Sequence, residues 1–392
     1  MSKNLPKSKS VQTALIHSDY SAPEGFAALP VALHYGSTVL HENVAAMRSA
    51  KWQNKTGYTY GLHGTPTTFT LEARLAEIED GKHCVLAPSG LAAIAMIDLA
   101  LLKSGDDVLI PDNVYNPNRE LGNWLARDFG ITARYYDPLI GAAIADLIRP
   151  NTRLVWTEAP GSVTMEVPDL AAICKAARAK GVPVALDNTW SAGIALRAFD
   201  LGVDIVMQAL TKYQSGGSDV LMGAVITRDP ELNSKLEFAH MRLGFGVSVD
   251  DAFLVLRGLP TLKLRFDAHD AGARKVAAWL KQRAEIAAVL HPALADCPGH
   301  ENWQRDFSGA GGLFSVIFDE RYSEAQTDRF VDSLELFKIG YSWGGHTSLC
   351  VPYRIAALRA NWPHKGQLLR FNIGLEDPQD LIADIEQALK LL

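Results

Sequence analysis

The chain of 392 residues has few cysteines, and their spacing argues against the usual cysteine-based sites. The four lie far apart and form no Cys-x-x-Cys pair: Cys84, Cys174, Cys297 and Cys350. We therefore expect neither a disulfide framework nor a metal site, and a cytoplasmic location suits this cysteine usage. The first ten residues are polar and contain lysines, with no apolar segment after them, so a secretory signal is not expected either.

Long apolar runs and an excess of positive charge are also missing. The most apolar stretch, Leu91–Leu102, is interrupted by Asp98 and falls short of the roughly 18 residues that a membrane span needs. We interpret it as a buried helix and expect no membrane association. The formal net charge of −6 gives no indication of a nucleic-acid partner. With 48% hydrophobic and 21% charged residues, the composition is typical of a soluble globular protein long enough for two domains.

The chain does contain an alternation of strand-like and helix-like segments. Short apolar runs separated by helical patterns predict βαβ units and a mostly parallel sheet flanked by helices, an α/β domain over residues 64–258. Residues 1–63 lack a sustained periodicity and are expected to form an N-terminal arm that contacts a neighbouring subunit. The pattern changes after Pro260, and residues 259–392 are expected to form a smaller α+β domain. The strands predicted for this part are 312–318, 337–343 and 368–373.

Two predicted strands end on side chains of complementary chemistry. The apolar run Val182–Leu186 ends at Asp187, and the run Ile205–Leu210 is followed by Thr211 and Lys212. Ligands of open α/β sheets bind at the carboxyl ends of the strands, so both side chains are expected at one site. Pyridoxal phosphate (PLP) requires this pair, because a lysine holds it as a Schiff base and an acidic residue faces its ring nitrogen. Taken alone, Asp187 would be a turn residue and Lys212 a surface residue, but together they predict an enzyme that binds PLP.

Other positions suit the same cofactor less specifically. Ser89, Gly90 and Leu91 begin a predicted helix whose first N–H groups would suit a phosphate, although Ser-Gly begins many helices. Tyr115 lies on a loop after a predicted strand, where an aromatic ring can stack on a cofactor or simply pack. Arg370 lies among apolar residues and needs a partner, which is either a substrate carboxylate or a structural acidic side chain.

Several stretches resemble the PLP-dependent enzymes of Cys/Met metabolism, which have the type I fold of such enzymes. The resemblance covers the chain beyond the N-terminal arm and depends on six segments: Tyr60-Gly61-x-x-Gly64-Thr65, the run from Thr157 to Val167, Asp187-Asn188-Thr189-Trp190, Thr211-Lys212-Tyr213, Tyr341-Ser342-Trp343-Gly344-Gly345 and Ile373-Gly374-Leu375-Glu376-Asp377. The Tyr-Ser-Trp-Gly-Gly segment favours the cystathionine β-lyases of this family, since its γ-synthases and γ-lyases usually have Ser-Leu-Gly-Gly there.

The resemblance implies a role for individual positions. The cofactor would be bound by Lys212, Asp187, Tyr115, Gly90, Leu91, Thr211, Ser89 and Tyr60. Catalysis would use Lys212, Tyr115 and Tyr60, the last reaching in from the neighbouring subunit of a homotetramer built from dimers that share active sites. Arg370 would bind the α-carboxylate of an amino-acid substrate, with Ser342 and Trp343 close by and Tyr341 lining the substrate side.

The reaction implied is the β-elimination of L-cystathionine to homocysteine, pyruvate and ammonia, a step of trans-sulfuration in methionine biosynthesis. The same residues would also serve a cysteine desulfhydrase, an S-alkylcysteine lyase, a γ-lyase or an amino-acid racemase. A non-catalytic binding protein on the same fold is a remote alternative.

The chain departs from the family at two positions. Leu62 stands where the family usually has an arginine that reaches the cofactor phosphate across the subunit interface. Either a nearby basic residue (Lys51, Lys55 or His63) replaces this charge, or backbone and hydroxyl groups bind the phosphate alone. The second departure is His346-Thr347, where family members often have a glutamate before the serine. Both affect the expected substrate range more than the fold.

Overall fold

The larger of two sheets forms the centre of the fold. The computed structural model describes residues 10–17, 20, 22, 24–26, 28–359 and 362–392. The strands of this sheet are β1 (His83–Ala87), β2 (Asp107–Pro111), β3 (Thr132–Tyr136), β4 (Thr152–Glu158), β5 (Val184–Asp187), β6 (Ile205–Ala209) and β7 (Gly223–Thr227). Their order is β1-β7-β6-β5-β4-β2-β3, and β7 is antiparallel to both of its neighbours while the other pairs are parallel. The predicted, mostly parallel sheet is therefore confirmed.

Helices cover both faces of this sheet and bury two apolar cores. The helices are α1 (Val11–Ile16), α2 (Val44–Ser49), α3 (Pro66–Ile78), α4 (Gly90–Leu101), α5 (Asn116–Phe129), α6 (Leu170–Ala179), α7 (Pro230–Leu243), α8 (Val249–Gly258), α9 (Leu262–Leu280), α10 (His300–Asp306), α11 (Glu324–Asp332) and α12 (Pro378–Leu389). One face of the sheet packs against α3, α6, α8 and the start of α9, and the other against α4, α5 and α7. Strands covered on both faces must be apolar throughout, which explains their continuous apolar runs.

The apolar run around Asp98 forms α4, a helix of 12 residues packed between the sheet and α7. No helix among the described residues combines the length and the apolar character needed to cross a bilayer.

The C-terminal part contains a second sheet of four antiparallel strands. These are β8 (Ile286–Leu290), β9 (Leu313–Phe318), β10 (Leu349–Tyr353) and β11 (Leu368–Asn372), in the order β10-β11-β9-β8. The predicted strands at 312–318 and 368–373 correspond to β9 and β11. The strand predicted at 337–343 is wrong, and β8 and β10 were not predicted. Just before this segment and at its first residue, the carboxylate of Asp384 accepts the backbone N–H groups of Glu335, Leu336 and Phe337. Within the segment Lys338 forms an isolated bridge to Leu349 of β10 instead of a continuous strand pairing.

The parallel pairing of β4, β5 and β6 brings their carboxyl ends to one edge of the sheet. Glu158 on β4 lies opposite Asp187 on β5, and Asp187 lies opposite Met207 on β6. Lys212 follows β6 by three residues. This register places a carboxylate, a second carboxylate and an amine around one cavity, where ligands of such sheets bind.

Candidate active site

Lys212 lies at the junction of two connected cavities. The first contains about 840 Å³ of empty space, including solvent at its mouth, and is lined by Lys212 and Asp187. The Lys212 Nζ donates a hydrogen bond to the Ser342 hydroxyl (3.0 Å) and lies 5.4 Å from the centre of the Trp343 ring. Burial, assisted by the positive charge of Arg370, lowers the pKa of Lys212 to about 8. A lysine with this pKa is partly neutral near physiological pH, as a nucleophile or general base must be.

Asp187 is buried and is held by its own turn. Its Oδ1 accepts hydrogen bonds from the Thr189 N–H (3.0 Å) and the Thr189 hydroxyl (2.5 Å). Burial raises the pKa of this carboxyl, although the Thr189 contacts and the charge of Lys212 oppose the change. No salt bridge to Asp187 occurs within the described residues, so its charged form lacks the close cation that a buried carboxylate needs. The protonated ring nitrogen of PLP would supply this missing cation, so the residues of the cavity fit the cofactor.

The N-terminus of α4 forms another wall of the same cavity. Ser89 is the N-cap residue, and its hydroxyl accepts a hydrogen bond from the Ala92 N–H at 3.0 Å. Gly90 is required here because a Cβ atom would lie only 2.9 Å from the Cβ of Ala209 on β6. The first N–H groups of a helix have no partner within the helix and favour an anion. The Thr211 hydroxyl faces the cavity as well but bonds the backbone of Met222, so it would have to be shared with a phosphate.

The second cavity contains the residues that the sequence assigned to the substrate. It is lined by Tyr341, Ser342, Trp343 and Arg370, and it shares Tyr115, Lys212 and Trp343 with the first cavity. Gly344 packs against the lysine loop, the connection between β6 and β7 (residues 210–222) that contains Lys212. A Cβ atom on Gly344 would lie 3.0 Å from the Tyr213 nitrogen, and the φ of Gly344 is 77°. Glycine tolerates both the close backbone contact and the positive φ, which explains why glycine follows Trp343 at this point.

Arg370 is buried without an acidic partner among the described residues. Its Nη2 donates to the Tyr341 carbonyl (2.7 Å), and its guanidinium lies 5.0 Å from the centre of the Tyr353 ring. Burial lowers the pKa of this arginine. The sequence left open a structural acid as its partner, and none is found in this part of the structure. The guanidinium is therefore available for a carboxylate that enters the cavity.

Within a single chain Tyr115 lines this site, whereas Tyr60, which was expected to reach the site from a neighbouring subunit, does not. Tyr115 lines both cavities from the start of α5, and its backbone N–H donates to Glu158 Oε2 at 2.7 Å. Tyr60 lines neither cavity and its side chain is half exposed. Within one chain, Tyr60 is thus separate from the residues with which the sequence grouped it.

The basic residues near Leu62 lie outside the cofactor cavity. Lys55 forms a salt bridge with Glu72 (2.7 Å) and donates to the Cys84 carbonyl, and the His63 ring stacks on Trp52 with centres 4.9 Å apart. Burial lowers the pKa of His63, although the charge of Glu237 opposes this effect. Neither side chain lines the cavity that contains Lys212 and Asp187.

Sequence reasoning missed several residues of the site. Glu158 and Ser162 line the first cavity, and Arg359 and Tyr353 line the second. Glu158 had a detectable signal, because it ends an apolar strand just as Asp187 does. Arg359 and Tyr353 had none, because Tyr353 ends β10 and Arg359 follows it in the connection to β11, and tertiary packing sets how this part of the smaller domain approaches the cavity.

Comparisons with known proteins agree with this geometry. The sequence profile of the Cys/Met metabolism PLP-dependent enzymes matches residues 12–390. The chain is 38% identical to the cystathionine β-lyase MetC of Escherichia coli K12, over 96% of this chain and 98% of that protein. It is also 38% identical to the cystathionine β-lyase of Haemophilus influenzae, over 96% and 97%. The crystal structure of a cystathionine γ-synthase from Xanthomonas oryzae superimposes with a TM-score of 0.90 at 30% identity, over 98% of this chain and 99% of that one.

Proposed function

The chain belongs to the Cys/Met metabolism PLP-dependent enzymes, and we propose that it is a carbon–sulfur β-lyase that cleaves L-cystathionine to homocysteine, pyruvate and ammonia. The observation that carries this proposal is the contact between Lys212 and Ser342 beside Trp343. The Tyr-Ser-Trp-Gly-Gly segment, which favours a β-lyase in the sequence, is therefore also the segment that contacts Lys212. The curated relatives named as cystathionine β-lyases support the same assignment.

The residues of this chain divide the work of binding. Lys212 and Asp187 would hold the cofactor ring, Tyr115 would pack against it, and the start of α4 would bind its phosphate, since all of them line the first cavity. When bound, PLP supplies an electron sink that stabilises negative charge at the substrate α-carbon. Arg370 holds the α-carboxylate in the second cavity and so directs the α-carbon towards the junction where Lys212 lies.

The proton transfers fall to Lys212. With a pKa of about 8, its Nζ can remove the α-proton as a neutral amine and return a proton as an ammonium group. The Ser342 hydroxyl, 3.0 Å away, keeps this nitrogen on the substrate side. An ionised Asp187 would favour a proton on the ring nitrogen of bound PLP. The overall reaction breaks the bond between the β-carbon and sulfur, the sulfur takes up a proton to give homocysteine, and one water is consumed in forming pyruvate and ammonia.

We also propose that the protein is a homotetramer made of dimers that share active sites. We propose a cytoplasmic location and two domains, at residues 64–258 and 259–392. Exposed apolar side chains of the N-terminal arm support a subunit contact: Phe26, Leu29, Leu33, Tyr35, Leu40, Val44, Met47, Tyr58 and Tyr60. Such a concentration of exposed large apolar residues marks a protein interface. Light scattering coupled to gel filtration tests the subunit number.

The function is tested by the products of a substrate panel. L-cystathionine, L-cysteine, L-methionine and an S-alkylcysteine are each incubated with the PLP-loaded protein, and the keto acids are identified. Pyruvate with homocysteine from cystathionine, at a higher kcat/KM than for the other substrates, supports the proposal. The γ-lyase alternative predicts 2-oxobutyrate, and racemisation leaves the substrate intact with inverted chirality. Lys212→Ala is the control and must abolish both the visible cofactor band and pyruvate release.

A further inference from the structure

A second buried carboxyl group lies beside Asp187 in the cofactor cavity. Glu158 ends β4 directly opposite Asp187 in the register of the sheet, and both side chains are more than nine-tenths buried and line the same cavity. No salt bridge to Glu158 is found in the described part of the chain. Glu158 nevertheless accepts the Tyr115 N–H at Oε2 (2.7 Å) and is hydrogen-bonded by the backbone of Ser162.

Two neighbouring carboxyl groups in a buried cavity cannot both be ionised at little cost. Each carboxyl accepts two hydrogen bonds, but Asp187 has the better support for a negative charge because the charge of Lys212 attracts it. Burial and the negative charge of Asp187 raise the pKa of Glu158 well above its usual value. When the two carboxyl groups share one negative charge, Asp187 is therefore the ionised group and Glu158 the protonated one.

The other charged or titratable groups around this pair do not change the assignment. The charge of Lys212 is directed at Asp187, and the phenol of Tyr115 is uncharged because burial raises its pKa. Arg370 and Tyr353 act on Tyr115 from the far side of the second cavity. Glu158 thus lacks a cation of its own.

Glu158 also connects the two loops that enclose the cofactor cavity. Tyr115 directly precedes α5, and its backbone N–H has Glu158 Oε2 as its acceptor. The opposite loop contains Ser162 and two non-glycine residues in the left-handed region, Val163 (φ 68°) and Met165 (φ 63°). That conformation is costly and persists only where surrounding contacts hold it. A second connection between the same loops runs from Asn113 Nδ2 to Glu166 (2.9 Å), and neither of these residues lines the cavity that contains Asp187.

We propose that Glu158 is a positioning residue that works in its protonated form: it fixes Tyr115 against the cofactor ring and leaves Asp187 as the single negative charge at the ring nitrogen. The proposal rests on the assignment of Lys212 and Asp187 to PLP made above. It does not depend on which substrate is cleaved.

Three variants test the proposal through cofactor binding in the absence of substrate. Glu158→Gln keeps an oxygen acceptor for the Tyr115 N–H and resembles the protonated acid, whereas Glu158→Ala removes the acceptor. Glu166→Gln is the matched control, since it alters the second loop connection without changing the charge next to Asp187. The dissociation constant is measured by titrating the apo protein with PLP at pH 7 and at pH 9.5. The circular dichroism of the visible band reports the seating of the ring.

At pH 7 we expect Glu158→Gln to bind PLP within about twofold of the wild type and with the same dichroic band. We expect Glu158→Ala to bind about tenfold more weakly with a reduced band, as for a buried N–H that loses its acceptor. Between pH 7 and pH 9.5 the wild type should lose more affinity than Glu158→Gln, because only the wild type can ionise at this position. Glu166→Gln should follow the pH dependence of the wild type.

Two results would overturn the proposal. One is a Glu158→Gln variant that binds as weakly as Glu158→Ala at pH 7, which would mean that an ionised Glu158 is needed. The other is the same pH dependence in the wild type and Glu158→Gln. If Glu158→Ala does not fold, judged by the thermal unfolding of the apo protein, the comparison of the wild type with Glu158→Gln decides alone. A failed substrate panel with these binding results intact would contradict the β-lyase assignment and leave the role of Glu158 standing.

Discussion

The Nζ atom of Lys212 lies 3.0 Å from the hydroxyl oxygen of Ser342, across the junction between the lysine loop and the segment that precedes β10. We predict that Ser342→Ala lowers kcat for pyruvate release about fivefold, because a hydrogen bond of this kind contributes about 1 kcal/mol. PLP affinity should change little, because Ser342 lines the second cavity but not the first, which holds the cofactor site. Steady-state assays and a cofactor titration check both parts.

The matched control is Ser215→Ala in the lysine loop. The Ser215 hydroxyl bonds the Thr211 carbonyl (3.2 Å) and lines neither cavity, so kcat should stay within twofold of the wild type. Equal losses of kcat in the two variants would show that the loop is merely sensitive to substitution.

The charge of Arg370 helps to keep the Lys212 amine neutral. Burial makes the largest contribution to lowering the pKa of Lys212 to about 8, and the charge of Arg370 makes the next largest. The rate at which the apo protein captures PLP should therefore rise with pH and level off above about pH 8, because only the neutral amine attacks the aldehyde. In Arg370→Gln the midpoint should move to higher pH, whereas Arg370→Lys should stay closer to the wild type. Stopped-flow absorbance of the visible band gives the rate.

PLP itself also titrates in this pH range, but its titration is the same with all three proteins. A difference in midpoint between the wild type and a variant therefore reports the protein. An unchanged midpoint in Arg370→Gln would mean that burial alone sets the pKa of Lys212.

We do not expect His63 to replace the missing arginine at Leu62, because its contact with Trp52 engages the ring within its own chain, whereas the family's arginine acts across the subunit interface. The His63 ring stacks on Trp52 in a pocket away from the cofactor cavity. We expect His63→Ala to leave the dissociation constant of PLP within twofold and to lower the thermal midpoint slightly through the lost stacking. Leu62→Arg, which restores a cation, should tighten binding about tenfold if it meets the phosphate, as expected for a charge-assisted hydrogen bond of about 1.5 kcal/mol.

Leu62→Gln serves as the control for a polar residue without charge. A large loss of PLP affinity in His63→Ala would identify this histidine as the phosphate ligand and contradict the prediction.

The sequence predicted the cofactor pair because strand ends carry a simple signal. Asp187 and Lys212 each follow a continuous apolar run, and the parallel pairing of the strands then brings them together. The strand predicted at 337–343 was wrong because its contact with β10 is the isolated bridge from Lys338 to Leu349, while the Phe337 N–H is satisfied by the carboxylate of Asp384, more than 40 residues later in the chain. Arg359 was missed for a related reason. Its salt bridges to Asp112 (3.2 Å) and Glu166 (2.5 Å) span 247 and 193 residues of sequence, and no local pattern encodes such contacts.

Asp98 offers a test of how a buried acid affects stability. It lies inside the apolar core around α4, where the Trp156 Nε1 donates to it at 2.8 Å, and burial raises its pKa to about 7. A carboxyl whose pKa is raised on folding stabilises the folded state most at low pH, and this contribution disappears as the pH rises to about 7. The free energy of unfolding should therefore fall by about 2–3 kcal/mol between pH 5 and pH 8 through this group alone.

We predict that Asp98→Asn flattens the decline in stability of the apo protein between pH 5 and pH 8, as measured by urea unfolding. Glu79, another buried carboxyl whose pKa burial raises to about 7, would account for part of the decline that remains. The slope with pH is the readout, because the amide keeps an acceptor for Trp156 but can lower the absolute stability. Asp128→Asn is the surface control: Arg127 lowers the pKa of that carboxyl, so it stays ionised across this range and its removal should leave the slope unchanged. An equally steep decline in Asp98→Asn would show that Asp98 is already ionised in the folded protein at pH 5.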